Sequence, residues 1–130
     1  VCSSDLPATE ISMPIFNLVI NHGQSPRNAS YAYIVVPGIN HPEKMKTYSC
    51  RHLKIERNDT EIQAVNNRKS GILQIVFFKP GTFDNEEIKV KALKPCVVQI
   101  KKSKGKVTDM QIADPQNQEK LKPGVDVIIL

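Results

Sequence analysis

Histidine stands at 22, 41 and 52, and no two of these are spaced as a metal pair or triad pair of the HxxxH or HExxH kind. His22 precedes Gly23 where an apolar run ends, a place where an imidazole most often bonds backbone and fixes a turn. A GxSxG elbow, a phosphate-binding glycine loop and a dinucleotide fingerprint are all missing from the sequence. Asp84, Asn85, Glu86 and Glu87 offer oxygen ligands for a hard cation, but without the alternate-residue spacing of a calcium loop, so they read as a solvated linker. Cysteines at 2, 50 and 96 form no CxxC pair and indicate neither a zinc site nor a disulfide framework; Cys50 and Cys96 are expected to be unpaired, buried thiols. The residues therefore predict no catalytic, cofactor-binding or metal-binding constellation.

What remains is charge. Between Lys89 and Lys106 the chain carries seven lysines and no acid, within a formal net charge of +5. Lys101, Lys102, Lys104 and Lys106 are the candidate contacts for an acidic polymer, although lysines alternating with apolar residues are also the ordinary solvent face of a strand. The same stretch contains no aromatic residue, so the stacking platforms that single-stranded nucleic acid requires are missing and no nucleic-acid partner is expected. No apolar run approaches the roughly 20 residues of a membrane helix, and no membrane partner is expected either. The sequons at Asn28 and Asn58 fall in predicted turns, which favour Asn, Ser and Thr anyway.

The elements that would position these residues are strands. A composition of 40% hydrophobic and 24% charged residues is that of a folded globular chain, and its dominant period is two. Strands are predicted at 15–20, 30–36, 52–57, 61–66, 71–78, 87–93, 96–102, 106–113 and 124–130, with a hairpin turn at Ser103, Lys104 and Gly105. In the second of these, Tyr31, Tyr33 and Val35 alternate with Ala32, Ile34 and Val36, so neither face suits water and burial on both sides is expected. The stretch 40–48 reads as a short helix, with Asn40 and Glu43 as a capping pair and Pro42 in its first turn. Pro80 and Gly81 mark the expected domain boundary. Residues 7–80 are read as the end of a larger sheet domain and 81–130 as a second, small and truncated sheet domain. The opening VCSSDL resembles a translated adaptor remnant, which would make residues 1–6 non-native, and the apolar close at VDVIIL is read as the end of a fragment.

One set of residues points further. Phe16, Ile20, His22, Gly23, Pro26, the run Asn28 to Tyr33, Pro37 and Gly38, then Asn58, Thr60, Gln63, Ala64 and Val65, then Asp114 and Pro115, occur in an order that resembles polysaccharide lyase family 8, the hyaluronate, chondroitin and xanthan lyases. Phe77, Phe78 and Gln116 depart from the family pattern at positions that bear on subfamily and substrate. The resemblance implies an all-β chain: the end of a large antiparallel super-sandwich followed by the start of a C-terminal β-sandwich. It implies a parent enzyme that cleaves uronic-acid-containing polysaccharides by β-elimination, using a Tyr, an Asn and a His of an N-terminal helical toroid that lies outside these residues.

On that reading the segment is non-catalytic, its partners are the toroid and, through the parent, an acidic polysaccharide, and the parent is extracellular or periplasmic. The rival expectation is a stand-alone glycan-binding or structural β-sandwich module, with a basic nucleic-acid-binding domain a remote third.

Overall fold

The structure is a computed structural model that describes residues 12–15, 17–118 and 120–130. The expected leader at 1–6, Cys2 and the motif position Phe16 lie outside the described residues. The chain divides into two compact units, Val1–Tyr33 and Ile34–Leu130.

Among the described residues of the second unit the alternating pattern becomes eight strands: β1 (Leu53–Asn58), β2 (Ile62–Asn67), β3 (Ile72–Phe77), β4 (Gly81–Asp84), β5 (Lys89–Ala92), β6 (Cys96–Ser103), β7 (Lys106–Ala113) and β8 (Val127–Ile129). They form two antiparallel sheets, one ordered β1-β2-β3-β6-β7 and one ordered β4-β5-β8. Because side chains alternate across a strand, paired residues on one face form rows. Ala64, Ile75, Val98 and Ile112 make one such row through the larger sheet, and Asn66, Leu73, Ile100 and Met110 another. Phe83, Val90, Ala92 and Val127 of the smaller sheet belong to the same buried cluster. The result is a two-layer sandwich with its core between the inner faces. Fully burying side chains such as Leu73, Ile75, Phe77 and Val98 contributes roughly 1.5 to 3 kcal/mol each.

Two bulges shape this sandwich. In β1 the register slips between Ile55 and Arg57, and the extra residue, Glu56, accepts a hydrogen bond from the buried Asn66 Nδ2 at 3.3 Å and pairs with Lys54 Nζ at 2.7 Å. In β7 the slip adjoins Lys101 and Lys102, where the Thr108 hydroxyl donates to the Lys101 carbonyl at 3.2 Å. Extra residues of this kind turn side chains away from the simple alternation.

Several expectations are corrected. The boundary at 80/81 does not divide two sheet domains, because β3 and β6 pair from Ile72↔Lys101 to Phe77↔Cys96 across it. Gly81–Asp84, read as the start of a linker, is strand β4; a four-residue strand with a single large apolar side chain, Phe83, is too short to show a period. Residues 124–130 yield only Val127–Ile129 as strand, since Lys122 to Asp126 close a turn in which Lys122 N donates to Asp126 Oδ2 at 2.8 Å. The helix α1 is Pro42–Thr47, and its N-cap is His41, whose Nδ1 accepts from Glu43 N at 3.4 Å. Asn40 stands one residue too early for that role. Cys96 is buried as expected, whereas Cys50 is exposed.

The described residues of 15–20 and 30–36, expected as strands, are not strand in the structure. A strand requires a neighbour for its backbone groups. In the first unit Tyr31 and Tyr33 are 61% and 66% exposed, and their rings stack at 6.5 Å with planes 13° apart.

Candidate functional site

Three connections of the sandwich meet around one cleft. The β2–β3 turn is folded by Asn67, whose Oδ1 accepts from Lys69 N and Ser70 N at 3.2 Å each, an arrangement that short amide side chains favour in turns. Arg68 N donates to the His52 carbonyl at 2.8 Å. The turn ends at Gly71, with φ +67. There Lys102 N donates to the Gly71 carbonyl at 2.7 Å, and a Cβ on Gly71 would run into the Lys102 carbonyl oxygen. Only a glycine admits that approach.

The β6–β7 hairpin turns through Lys104 (φ +51) and Gly105 (φ +74), consecutive left-handed residues that match the twist of the flanking strands. From the smaller sheet, Asn85 folds the β4–β5 turn by accepting from Glu87 N at 3.0 Å and Ile88 N at 2.9 Å. Glu87 is thereby carried to the same cleft.

These turns border an open cleft of about 510 Å³ lined by Asn66, Arg68, Gly71, Glu87, Lys102, Lys104 and Gly105. Of the four lysines predicted as polyanion contacts, the cleft brings together Lys102 and Lys104. Lys101 and Lys106 do not line it. Lys101 alternates with the inward Ile100 and pairs with Asp109 on the outer face of the sheet, while Lys106 opens β7 as an exposed residue. The sequence reading missed Arg68, Asn66 and Glu87, which meet the lysines only through strand pairing. The one local signal was the Asn-rich, Ser-containing turn around Arg68.

The lysines also differ in electrostatic state. The Lys102 side chain is 10% exposed and forms an ion pair with Glu87, and this hydrogen bond holds the Glu87 carboxyl below the usual carboxylate range. Arg68 and Lys104 have no ion-pair partner among the described residues. The cleft is thus net cationic: Lys102 is ion-paired with Glu87, Arg68 interacts with that carboxylate only through space, and Lys104 is in no ion pair among the described residues. Among the described residues no group of three or more His, Cys, Asp or Glu side chains could hold a metal ion. The arrangement supplies donors and positive charge but no positioned base or nucleophile.

A two-sheet sandwich of this order is shared by many proteins, so sequence relationship decides among them. The model of the polysaccharide lyase family 8 C-terminal β-sandwich domain matches residues 54–122, more than half of the chain, and that of the family's super-sandwich domain matches residues 2–49. This chain belongs to polysaccharide lyase family 8. Chondroitinase-AC of Pedobacter heparinus is 41% identical over 111 residues, which are 85% of this chain and 16% of that protein. Hyaluronate lyase of Thermasporomyces composti is 29% identical over 111 residues, 85% of this chain and 14% of that protein. A solved structure of chondroitinase AC lyase superposes with a TM-score of 0.63 at 42% identity, covering 78% of this chain and 15% of that one. The chain therefore spans about a sixth of the length of these relatives.

Within this family 8 chain β2 to β7 lie inside the C-terminal-domain match, β1 overlaps its start and β8 lies beyond its end, while the described residues from 12 to 36, which are outside any strand, fall inside the super-sandwich match. Of the family-pattern residues, Gln63, Ala64 and Val65 lie in β2, whereas Asp114 serves a turn: its Oδ1 accepts from Gln116 N at 2.9 Å and its Oδ2 from Gln118 N at 2.8 Å. Such a carboxylate stops β7 and satisfies donors that the ladder leaves open.

Proposed function

We propose that the whole protein is a polysaccharide lyase acting on uronic-acid-containing polysaccharides such as chondroitin or hyaluronan by β-elimination, and that this segment is its non-catalytic β scaffold. One observation carries the reading. Identity of 41% runs over 85% of this chain while covering only 16% of Chondroitinase-AC, so the likeness is to one part of a much longer enzyme. The reacting Tyr, Asn and His are then supplied by a helical toroid outside the segment. Tyr31, Tyr33 and His22 take no part in the chemistry.

On this reading the junction between the super-sandwich and the C-terminal sandwich lies between residues 49 and 54, where the two family matches meet. The stretches 15–20 and 30–36 acquire their strand partners, and cover for both faces, from chain outside this segment. That accounts for side chains such as Ile15, Leu18, Tyr33 and Val35 being apolar yet exposed. Because such polysaccharides lie outside the cell, the parent is secreted or periplasmic.

The test is to assay the whole protein against hyaluronan and chondroitin by ultraviolet absorbance of unsaturated sugar ends, beside the 130-residue segment at equal concentration. Activity in the whole protein and none in the segment is the expected result. A whole protein that releases no unsaturated ends from any uronic-acid polysaccharide would overturn the enzyme reading and leave a structural or glycan-binding sandwich.

A further inference from the structure

We propose that the cleft between the β2–β3, β4–β5 and β6–β7 turns binds the anionic groups of an acidic sugar chain, with Arg68 and Lys104 as its principal contacts and Lys102 as a guarded third. Its ligand class rests on the lyase reading above. The cleft's charge and shape do not.

Three observations support it. Arg68 and Lys104 line one concave space of about 510 Å³ and are in no ion pair among the described residues, Arg68 meeting the Glu87 carboxylate only through space, so binding an anion there breaks no direct ion pair. Lys104 occupies a left-handed conformation, φ +51, where Asn, Asp or Gly is the ordinary choice; a cation is held at a position that local preference would give to another residue. Lys102, beside them, is desolvated enough to need Glu87, and that carboxylate fixes its ammonium at the wall of the cleft rather than in bulk water. Arg68 can present a planar fork to a carboxylate or sulfate, whereas the lysines act as point charges.

Carboxylates of uronic acids and sulfate esters share this chemistry. The cleft is open at one side and bordered by exposed turns, which suits a point along a chain rather than an enclosed small molecule.

The experiment is isothermal titration of the 130-residue chain at low salt with three probes: a hyaluronan octasaccharide, which carries carboxylates alone, a chondroitin 4-sulfate octasaccharide, which carries both groups, and inorganic sulfate. The double variant R68A/K104A is expected to bind the oligosaccharides roughly tenfold more weakly, as loss of two charge contacts implies. K101A/K106A, which removes the same charge outside the cleft, is expected to stay within about twofold, the residual effect of long-range attraction. E87Q releases Lys102 and is expected to strengthen binding severalfold, an effect that a merely structural role for these residues would not produce. Comparable melting curves for the variants establish that the exposed substitutions leave the fold intact.

A hyaluronan affinity equal to that for the sulfated chain assigns the cleft to carboxylates; a preference for the sulfated chain assigns it to sulfate. Equal weakening by the two double variants means diffuse attraction and overturns the site, as does binding of inorganic sulfate as tight as that of the oligosaccharides. If the whole protein proves an active lyase and R68A/K104A binds like wild type, the cleft proposal alone fails. If the oligosaccharides bind at the cleft and the whole protein has no lyase activity, the enzyme reading alone fails.

Discussion

Alanine at Gly71 and alanine at Gly105 should differ sharply in stability, although both glycines sit in tight turns of hairpins with positive φ, +67 and +74. At Gly105 a Cβ would meet nothing within 4 Å. The substitution there carries only the left-handed penalty, about 1 to 2 kcal/mol for an L residue, offset by about 0.4 to 1 kcal/mol through the stiffer unfolded chain. The net loss is therefore small. At Gly71 the same terms apply, but the new Cβ would overlap the Lys102 carbonyl oxygen, a backbone atom that cannot swing aside.

Relief of that overlap at Gly71 requires the turn to move off β6. The bond from Lys102 N to the Gly71 carbonyl, 2.7 Å, is then lost, at about 0.5 to 1.5 kcal/mol, and backbone displacement of this kind costs a further ~1 to 3 kcal/mol. G71A is thus expected to be less stable than G105A by roughly 2 to 4 kcal/mol in urea unfolding, which at a slope of about 2 kcal/mol/M separates the midpoints by about 1 to 2 M. The displaced backbone is that of Lys102, so G71A should also weaken oligosaccharide binding. Midpoints within about 0.3 M of one another would refute the close-approach reasoning and show that the turn relaxes freely.

Two further outcomes follow from the protonation of single groups. Asp59 accepts from Glu61 N and Ile62 N at 2.8 Å each and from Arg57 Nε at 2.5 Å. These bonds favour its charged form, with the Arg57 bond first, and lower its pKa from 3.8 to about 2. A carboxyl depressed on folding stabilises the protein above its unfolded pKa and loses that contribution as pH falls through the folded value, so stability should decline between about pH 4 and pH 2, and D59N should flatten that limb of the curve in pH-dependent urea melts. An unchanged acid limb in D59N would contradict the assignment. Burial pushes the Cys96 thiol up to about 11, whereas Cys50 is exposed; iodoacetamide at pH 7.5 followed by peptide mass spectrometry should label Cys50 in the folded chain and Cys96 only after denaturation, and labelling of both at similar rates would show the β3–β6 region to be open.

The sandwich was largely legible because its strands are buried on one face only. Ile62, Ala64 and Asn66 alternate with exposed residues in β2, and Cys96, Val98 and Ile100 do so in β6, which places the predicted strands within a residue or two. Pairing was not legible. The contact between β3 and β6 skips β4 and β5, and no local pattern encodes a partner 20 or so residues away. That is why Pro80 and Gly81, a true break in the strand, look locally like a break between domains although β3 and β6 pair across them. The doubly apolar run from Tyr31 to Val36 failed in another way: such a pattern reports that both faces need cover and says nothing about where the cover comes from.

The candidate cleft divides along the same line. Lys102 and Lys104 were visible as part of a lysine run, but a run gives charge without direction. The bulge beside Lys101 and Lys102 and the outward setting of Lys101 split the run between surfaces, while Arg68 and Glu87 arrive from other hairpins. Glu87 changes what the cleft can select. Its carboxyl is held ionised by Lys102 well below neutral pH, so any incoming anion must compete with a built-in one for that cation. Arg68 meets that carboxylate only through space and Lys104 is in no ion pair among the described residues, so on the proposed binding these two are expected to contribute more affinity at neutral pH than the more buried Lys102. An anion held by all three cations must first displace Glu87, which is 56% exposed and can be resolvated at little cost. Selectivity between singly and doubly charged sugars would therefore reside in Lys102, and general affinity in the other two.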